Sequence, residues 1–206
     1  MRYIIPEENN MKQKHKKLAL AGIIADGLYF ISVILYLIVK TDWALTVWES
    51  MTVAGAFVMT AVLTAAAEAY QIKPMFRRFM LISLSGTLIL TSAAHFTSIG
   101  VIRKLVSQGV SVPDYFRIGF FPSIEMTVDY TAWGLFMGCA FLALFLGIQD
   151  MPIKGISVTC SSLCMVGFAG SFFSESLWYP APLGYGFGFL ILCIAILRKK
   201  EDSELS

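Results

Sequence analysis

Long apolar runs separated by short polar segments dominate the pattern of hydrophobic positions along this chain. Crossing the roughly 30 Å hydrocarbon core of a bilayer takes about 20 helical residues. Six runs meet or approach that length, at residues 18–39, 48–70, 79–100, 124–148, 153–174 and 181–197. Only helices and closed barrels satisfy the backbone in lipid, and these runs lack the period-two alternation of barrel strands. The pattern therefore predicts an all-α integral membrane protein, a six-transmembrane-helix bundle.

Two polar tails flank the predicted membrane domain of residues 18–197, a basic one at 1–17 and a second at 198–206. The lysines of the first tail precede an apolar run, which is also the order found in a secretory signal. That run is longer than the apolar part of a signal peptide, and no small-residue cleavage site precedes Lys40. We therefore interpret 18–39 as a retained first span.

Composition supports the membrane class. The chain is 57% hydrophobic and 15% charged, with a mean hydropathy of +0.70, whereas a soluble domain carries about 25% charged residues. A formal net charge of +2 is too small to indicate a nucleic-acid partner. The partner that the composition predicts is the lipid bilayer.

The distribution of Lys and Arg among the connections predicts the orientation. Twelve of the 16 basic residues fall in the two tails and in the connections after the second and fourth spans. The other side holds Lys40, Arg103, Lys104 and Arg117. We expect both termini in the cytoplasm, and we expect the membrane to be a prokaryotic cytoplasmic (inner) membrane.

Aromatic residues gather at the predicted outer end. Trp43, Trp48 and Trp178 fall at the outer interface, with several tyrosines and phenylalanines. Aromatic belts at both interfaces are common in membrane proteins. The one-sidedness of this belt indicates an aromatic-lined outer end.

The connection between spans three and four, residues 103–123, is the longest in the chain. An apolar helical stripe (Ile99, Ile102, Leu105 and Val106) continues past the third span, and glycines and prolines follow it. We expect a short interfacial helix and then a loop. Connections of this length are often lids or binding elements.

Small residues predict close packing. Gly134-x-x-x-Gly138 and Gly184-x-x-x-Gly188 permit near approach of two helices. Contacts inside one bundle are the simpler interpretation, and a homo-oligomer is the alternative. The four cysteines fall within apolar runs, where we interpret them as buried small hydrophobes.

Depth decides which ionisable side chains can meet. His95 lies sixteen residues into the third span, about 24 Å from its inner end, and Asp129 lies roughly 7 Å below the outer end of the fourth. The two depths agree. Because ionisable groups within a span are costly and usually face the bundle interior or a wet cavity, His95 and Asp129 are the predicted centre of a site.

Other candidates surround this pair. Glu49, Glu125 and Glu175 fall at the outer ends of their spans, where we expect them to form a rim that reaches water. Trp133 and Tyr130 are the predicted apolar wall. Asp26 lies toward the inner side and is a separate candidate for binding or proton handling.

Several chemistries are tested against this set. A zinc site needs three or four His, Cys, Asp or Glu ligands, and with His95 as the one nitrogen ligand at this depth we predict no metal and no cofactor. A rhomboid-type serine protease needs Gly-x-Ser-Gly, and Leu84-Ser85-Gly86 lacks the first glycine. A retinal protein needs a mid-helix lysine, and none of the six runs has one.

Three functional classes stay open. The leading one is a small-molecule or proton-coupled binding or transport module with an outward-facing polar pocket, because an acid–His pair exchanges protons near neutral pH. The second is a membrane-embedded enzyme acting on a lipid or amphiphile at the outer leaflet. The third is a structural or accessory subunit in which His95 and Asp129 only lock the helices.

Overall fold

A computed structural model describes residues 6–198 of the chain, and its side chains from residue 15 onward. Within this range the secondary structure is helical, without strands. The bounds of the helices are α1 Pro6–Val39, α2 Asp42–Ala69, α3 Pro74–Ser107, α4 Ile124–Gly147, α5 Met151–Ser171 and α6 Glu175–Arg198. All six contain a stretch long and apolar enough to cross a membrane, so the prediction of an all-α chain with six candidate membrane spans is confirmed.

Three of the helices extend beyond the apolar runs at one end of the bundle. α2 begins at Asp42, α3 continues to Ser107 and α6 begins at Glu175. The extra turns carry polar residues, such as Thr46 and Arg103, that hydropathy alone would assign to a connection. Their side chains instead contact one another across helices, as described below.

The helices form a closed ring in chain order. Each packs against the next from α1 to α6, and α6 returns to pack against α1. The contact that closes the ring lies in the Phe189–Arg198 half of α6. There Gly22 of α1 approaches so closely that an added Cβ would lie 2.8 Å from Cys193 Sγ and 3.2 Å from the Phe189 ring.

Local sequence explains where the helices begin and end. α3 ends at Ser107 and is closed by Gly109, whose φ of 78° suits glycine. The N–H groups of Gly109 and Val110 donate to the carbonyls of Val106 and Leu105. The Ser123 hydroxyl caps α4 by accepting from the Met126 N–H at 3.0 Å. The connection 108–123 between them contains a 3-10 turn at Asp114–Phe116.

Three helices widen into π-helical turns, at Ser98–Ile102 in α3, Thr131–Phe136 in α4 and Leu183–Gly188 in α6. Such turns are rare and occur often at functional sites. All three lie in the half of the bundle where α1, α3 and α5 end and α2, α4 and α6 begin. We call this half the site end, and the half containing connections 70–73 and 148–150 the opposite end.

Apolar residues both fill the bundle and cover its outside. Large side chains such as Phe141, Met80 and Leu63 are completely buried between helices. Others, including Ile38 and Ile82, point outward with 75% and 66% of their surface exposed. A chain with an apolar core and an apolar exterior is consistent with a bilayer as its surroundings.

Candidate functional site

The imidazole of His95 lies between two carboxylates at the site end. Its Nε2 is 3.3 Å from Asp129 Oδ1 on α4, and its Nδ1 is 3.7 Å from Glu49 Oε1 on α2. The side chain of His95 is 3% exposed, whereas that of Asp129 is 16% exposed. The ring N–H directions do not align with either oxygen, so these are electrostatic contacts that retain unused hydrogen-bonding capacity.

An arginine reaches the same cluster. Arg103, in the last turns of α3, forms an ion pair with Glu49 through Nη2 and donates from Nη1 to the Thr46 hydroxyl and to the Asp42 carbonyl. The Glu49 carboxylate is completely buried, and burying a lone carboxylate is expensive. Arg103 therefore explains how Glu49 can be inside the bundle.

Helix geometry brings the side chains of His95, Arg103, Glu49 and Asp129 together. His95 and Arg103 are eight residues apart on α3, which would place them about 80° apart around a regular α-helix. The π-helical turn at Ser98–Ile102 lies between them and changes their relative direction. Both side chains meet α2 as a result, and His95 also reaches α4.

A cavity of about 420 Å³ opens beside this cluster. Its lining contains His95 and Asp129, together with the exposed residues Gly119, Glu175 and Tyr179, so the cavity extends from the buried pair to the surface of the site end. Pockets of about 300–1,000 Å³ are typical of small-molecule sites. We call it the site cavity.

Aromatic side chains form much of the wall of the site cavity. They come from four helices: Tyr29, Phe30, Tyr36, Trp48, Tyr130, Trp178, Tyr179 and Tyr185. Tyr36 stacks on Trp48 with ring centroids 5.3 Å apart, and Tyr130 stacks on Trp178 at 4.0 Å. The first stack joins α1 to α2, and the second joins α4 to α6.

A second, much smaller cavity lies deeper in the bundle. It has room for about one water molecule, with a volume of about 20 Å³, and its lining includes Asp26 and Trp133. Tyr29, Thr52 and Tyr185 line both this cavity and the site cavity. Asp26 is therefore close to the site cavity, separated from it by three polar side chains.

The structure brings together part of the predicted site. Tyr130 and Glu175 line the site cavity with His95 and Asp129, and Glu175 is exposed at its rim. Trp133 lies behind the wall, 3% exposed, and its ring packs on Tyr185 at 4.6 Å.

Two of the predicted rim residues do not reach water. Glu49 is fully buried because Arg103 and His95 contact its carboxylate. Glu125, 5% exposed, is also buried. The expectation that both side chains extend to the surface is wrong in the structure.

Residues that the sequence did not single out complete the site. Arg103 is among the basic residues of the longest connection, and the apolar stripe through Ile99 and Leu105 is the signal that places it on a continuing helix. Tyr29, Tyr36 and Tyr185 lie inside apolar runs. Their three-dimensional convergence has no sequence signature.

The described side chains of this cluster do not form a metal site. Among residues 15–198, whose side chains the structure describes, no group of three or more His, Cys, Asp or Glu side chains is placed to share an ion. What the geometry offers is a half-buried acid against an imidazole, beside an aromatic cavity. Such a group can bind a polar ligand, or can accept and donate a proton.

Comparisons with known proteins add no family to this picture. No protein-family model, no curated protein and no solved structure matches the chain. The case for function therefore depends on the geometry of the site cavity.

Proposed function

We propose that this chain is a multi-pass membrane protein that binds a small molecule in the site cavity, as a proton-coupled binding or transport module. The observation that carries the proposal is that His95 and Asp129 both line a cavity of about 420 Å³. A pair that only locked two helices together would not need such a space. Asp129 Oδ1 and both His95 ring nitrogens also retain hydrogen-bonding capacity that a ligand or water can use.

We place the site end at the outer face of a prokaryotic cytoplasmic membrane, with both termini inside. Support comes from the distribution of Lys and Arg, with four toward the site end and twelve in the tails and the connections of the opposite end. In this orientation Arg103–Ser107 leaves the bilayer, and residues 108–123 lie on the outer surface.

A thermal-unfolding screen of the purified protein tests the proposal. Small water-soluble and amphiphilic compounds are added to the wild type, to Asp129→Asn and to a control, Asp114→Asn, whose carboxylate lies in the connection outside the site cavity. We expect compounds that raise the unfolding temperature of the wild type and the control but not of Asp129→Asn. If Asp129→Asn simply fails to fold, the locking role gains support instead.

Transport needs a separate measurement. Protein reconstituted in vesicles that contain a pH-sensitive dye should couple uptake of a stabilising compound to a change in internal pH. Binding without any flux would reduce the proposal to a binding module.

One observation favours a second candidate, an enzyme acting on an amphiphile at the outer leaflet. His95 between Glu49 and Asp129 resembles the arrangement of a general acid–base pair, in which one carboxylate orients the ring and the ring moves the proton. Turnover of a lipid or amphiphile by the purified protein, lost in His95→Gln, would favour this candidate over transport.

A further inference from the structure

We infer that the ligand of the site cavity is an organic cation, an amine or quaternary ammonium group attached to an apolar chain. This inference rests on the proposed small-molecule site and specifies its chemistry. Three independent features of the cavity carry it: the charge of its lining, its aromatic wall and the place where it opens.

The charged side chains of the lining are acidic. Asp129 lies at the inner part and Glu175 at the rim, and among the described residues no Lys or Arg lines the cavity. The nearest arginines are engaged elsewhere, because Arg103 pairs with Glu49, and Arg117 pairs with Asp114 and lies over the Phe120 ring. An anionic ligand would face two carboxylates without a fixed basic partner.

The aromatic wall also favours a positively charged ligand. A cation is drawn to the negative face of an aromatic ring, and groups of such rings recognise quaternary ammonium ligands. The Tyr36–Trp48 stack joins α1 to α2, and the Tyr130–Trp178 stack joins α4 to α6. Rings therefore border the cavity on two sides, with Asp129 of α4 also in the lining.

The apolar part of the ligand is indicated by the opening between α1 and α6. These helices pack closely at the opposite end, around Gly22 and Cys193, and the last ring contact between them is Phe30 with Phe187 at 4.6 Å. Beyond it, Leu37 of α1 and Tyr179 of α6 line the cavity and are about 60% exposed. A chain attached to the cation can leave through this gap toward the exterior of the bundle.

Three probes that share the same hexyl chain test the inference. Hexyltrimethylammonium, hexanol and hexanesulfonate carry a positive, neutral and negative head, and binding is measured by titration calorimetry on the full chain in lipid nanodiscs. Empty nanodiscs correct for partitioning into lipid. We expect hexyltrimethylammonium to bind at least about tenfold more tightly than either of the others, since a cation–ring contact and a carboxylate both favour it.

Matched variants locate the binding. Tyr179→Leu should weaken binding of hexyltrimethylammonium about tenfold, whereas Tyr115→Leu, a similarly exposed tyrosine outside the cavity, should leave it unchanged. Glu175→Gln should also weaken binding, with Glu68→Gln, an exposed glutamate at the opposite end, as its control. Both cavity variants change exposed side chains, so neither should disturb folding.

The possible outcomes are distinguishable. Equal or tighter binding of hexanol or hexanesulfonate, sensitive to Tyr179→Leu, would overturn the cationic ligand and leave the proposed small-molecule site standing. Binding of the cation that no cavity variant changes would overturn the assignment to this cavity. Failure of all three probes to bind would overturn both the inference and the proposed site.

Discussion

Arg103 and Glu49 form an ion pair between the last turns of α3 and the first turns of α2, with the Glu49 carboxylate completely buried. The pair faces His95, whose other ring nitrogen faces Asp129. One chain of contacts therefore links three helices at the site end. It runs from a closed, fully buried pair to a half-buried acid that lines the site cavity.

Breaking the buried pair should destabilise the protein strongly. Arg103→Met leaves the Glu49 charge buried without its partner, which typically costs about 3–5 kcal/mol of unfolding free energy. Denaturant or thermal unfolding of the purified variant measures the loss. Adding Glu49→Gln to Arg103→Met should restore most of it, because the uncompensated charge is then gone.

The opposite end offers a matched control. Arg77 Nη2 contacts Glu68 Oε1 at 2.6 Å, but both side chains are over 40% exposed. Arg77→Met should therefore cost only about 0–1 kcal/mol. Equal losses for Arg77→Met and Arg103→Met would contradict the interpretation of Glu49–Arg103 as a buried pair.

Asp129 should behave differently from Glu49. Its side chain is partly exposed and its contact with His95 is not an aligned hydrogen bond, so Asp129→Asn should lower the unfolding free energy by no more than about 1 kcal/mol. Thermal unfolding without added ligand is the measurement. A loss as large as that of Arg103→Met would favour the locking role over the binding role.

A close approach between α5 and α6 should not tolerate an extra carbon. A Cβ on Gly167 would lie 2.6 Å from the backbone nitrogen of Ala181 and 2.7 Å from the Trp178 carbonyl oxygen. Since backbone atoms cannot easily move aside, Gly167→Ala should destabilise by about 1–3 kcal/mol. It should also weaken ligand binding, because Trp178 lines the site cavity.

The same helix supplies the control for this substitution. A Cβ on Gly155 meets nothing within 4 Å. Gly155→Ala should then be neutral, or should stabilise by about 0.5–1 kcal/mol through the better helix propensity of alanine. Urea unfolding of the two alanine variants side by side gives the comparison, and equal effects would refute the close packing at Gly167.

The proposed orientation predicts which end reacts with an external reagent. A membrane-impermeant thiol reagent applied to intact cells should modify Glu175→Cys, at the rim of the site cavity, and should spare Glu68→Cys at the opposite end. Wild-type protein gives the background from the native cysteines, of which Cys160, Cys164 and Cys193 are buried and Cys139 is partly exposed. The reverse labelling pattern would place the site cavity at the cytoplasmic face.

The number of spanning helices could be predicted from the sequence because hydrocarbon thickness fixes the length of an apolar run. The pairing of His95 with Asp129 could be anticipated from depth alone, since each residue rises 1.5 Å along its helix. The position of each side chain around its helix, and so its neighbours on other helices, could not be predicted. Glu49 looks like a surface residue in the sequence, because nothing there shows that Arg103 lies opposite it. The π-helical turn at Ser98–Ile102, which directs Arg103, has no recognisable sequence pattern.

The six helices are not equally buried in the ring, and α1 is the least buried of them. Only 22% of the most apolar stretch of α1 is buried, against 56% in α4, and the closing contact with α6 lies around Gly22 and Cys193. A ligand in the site cavity would touch both α1 and α6 where they part. By linkage, occupancy would then favour attachment of α1 to the bundle, and a change that loosens α1 would weaken binding by the same factor.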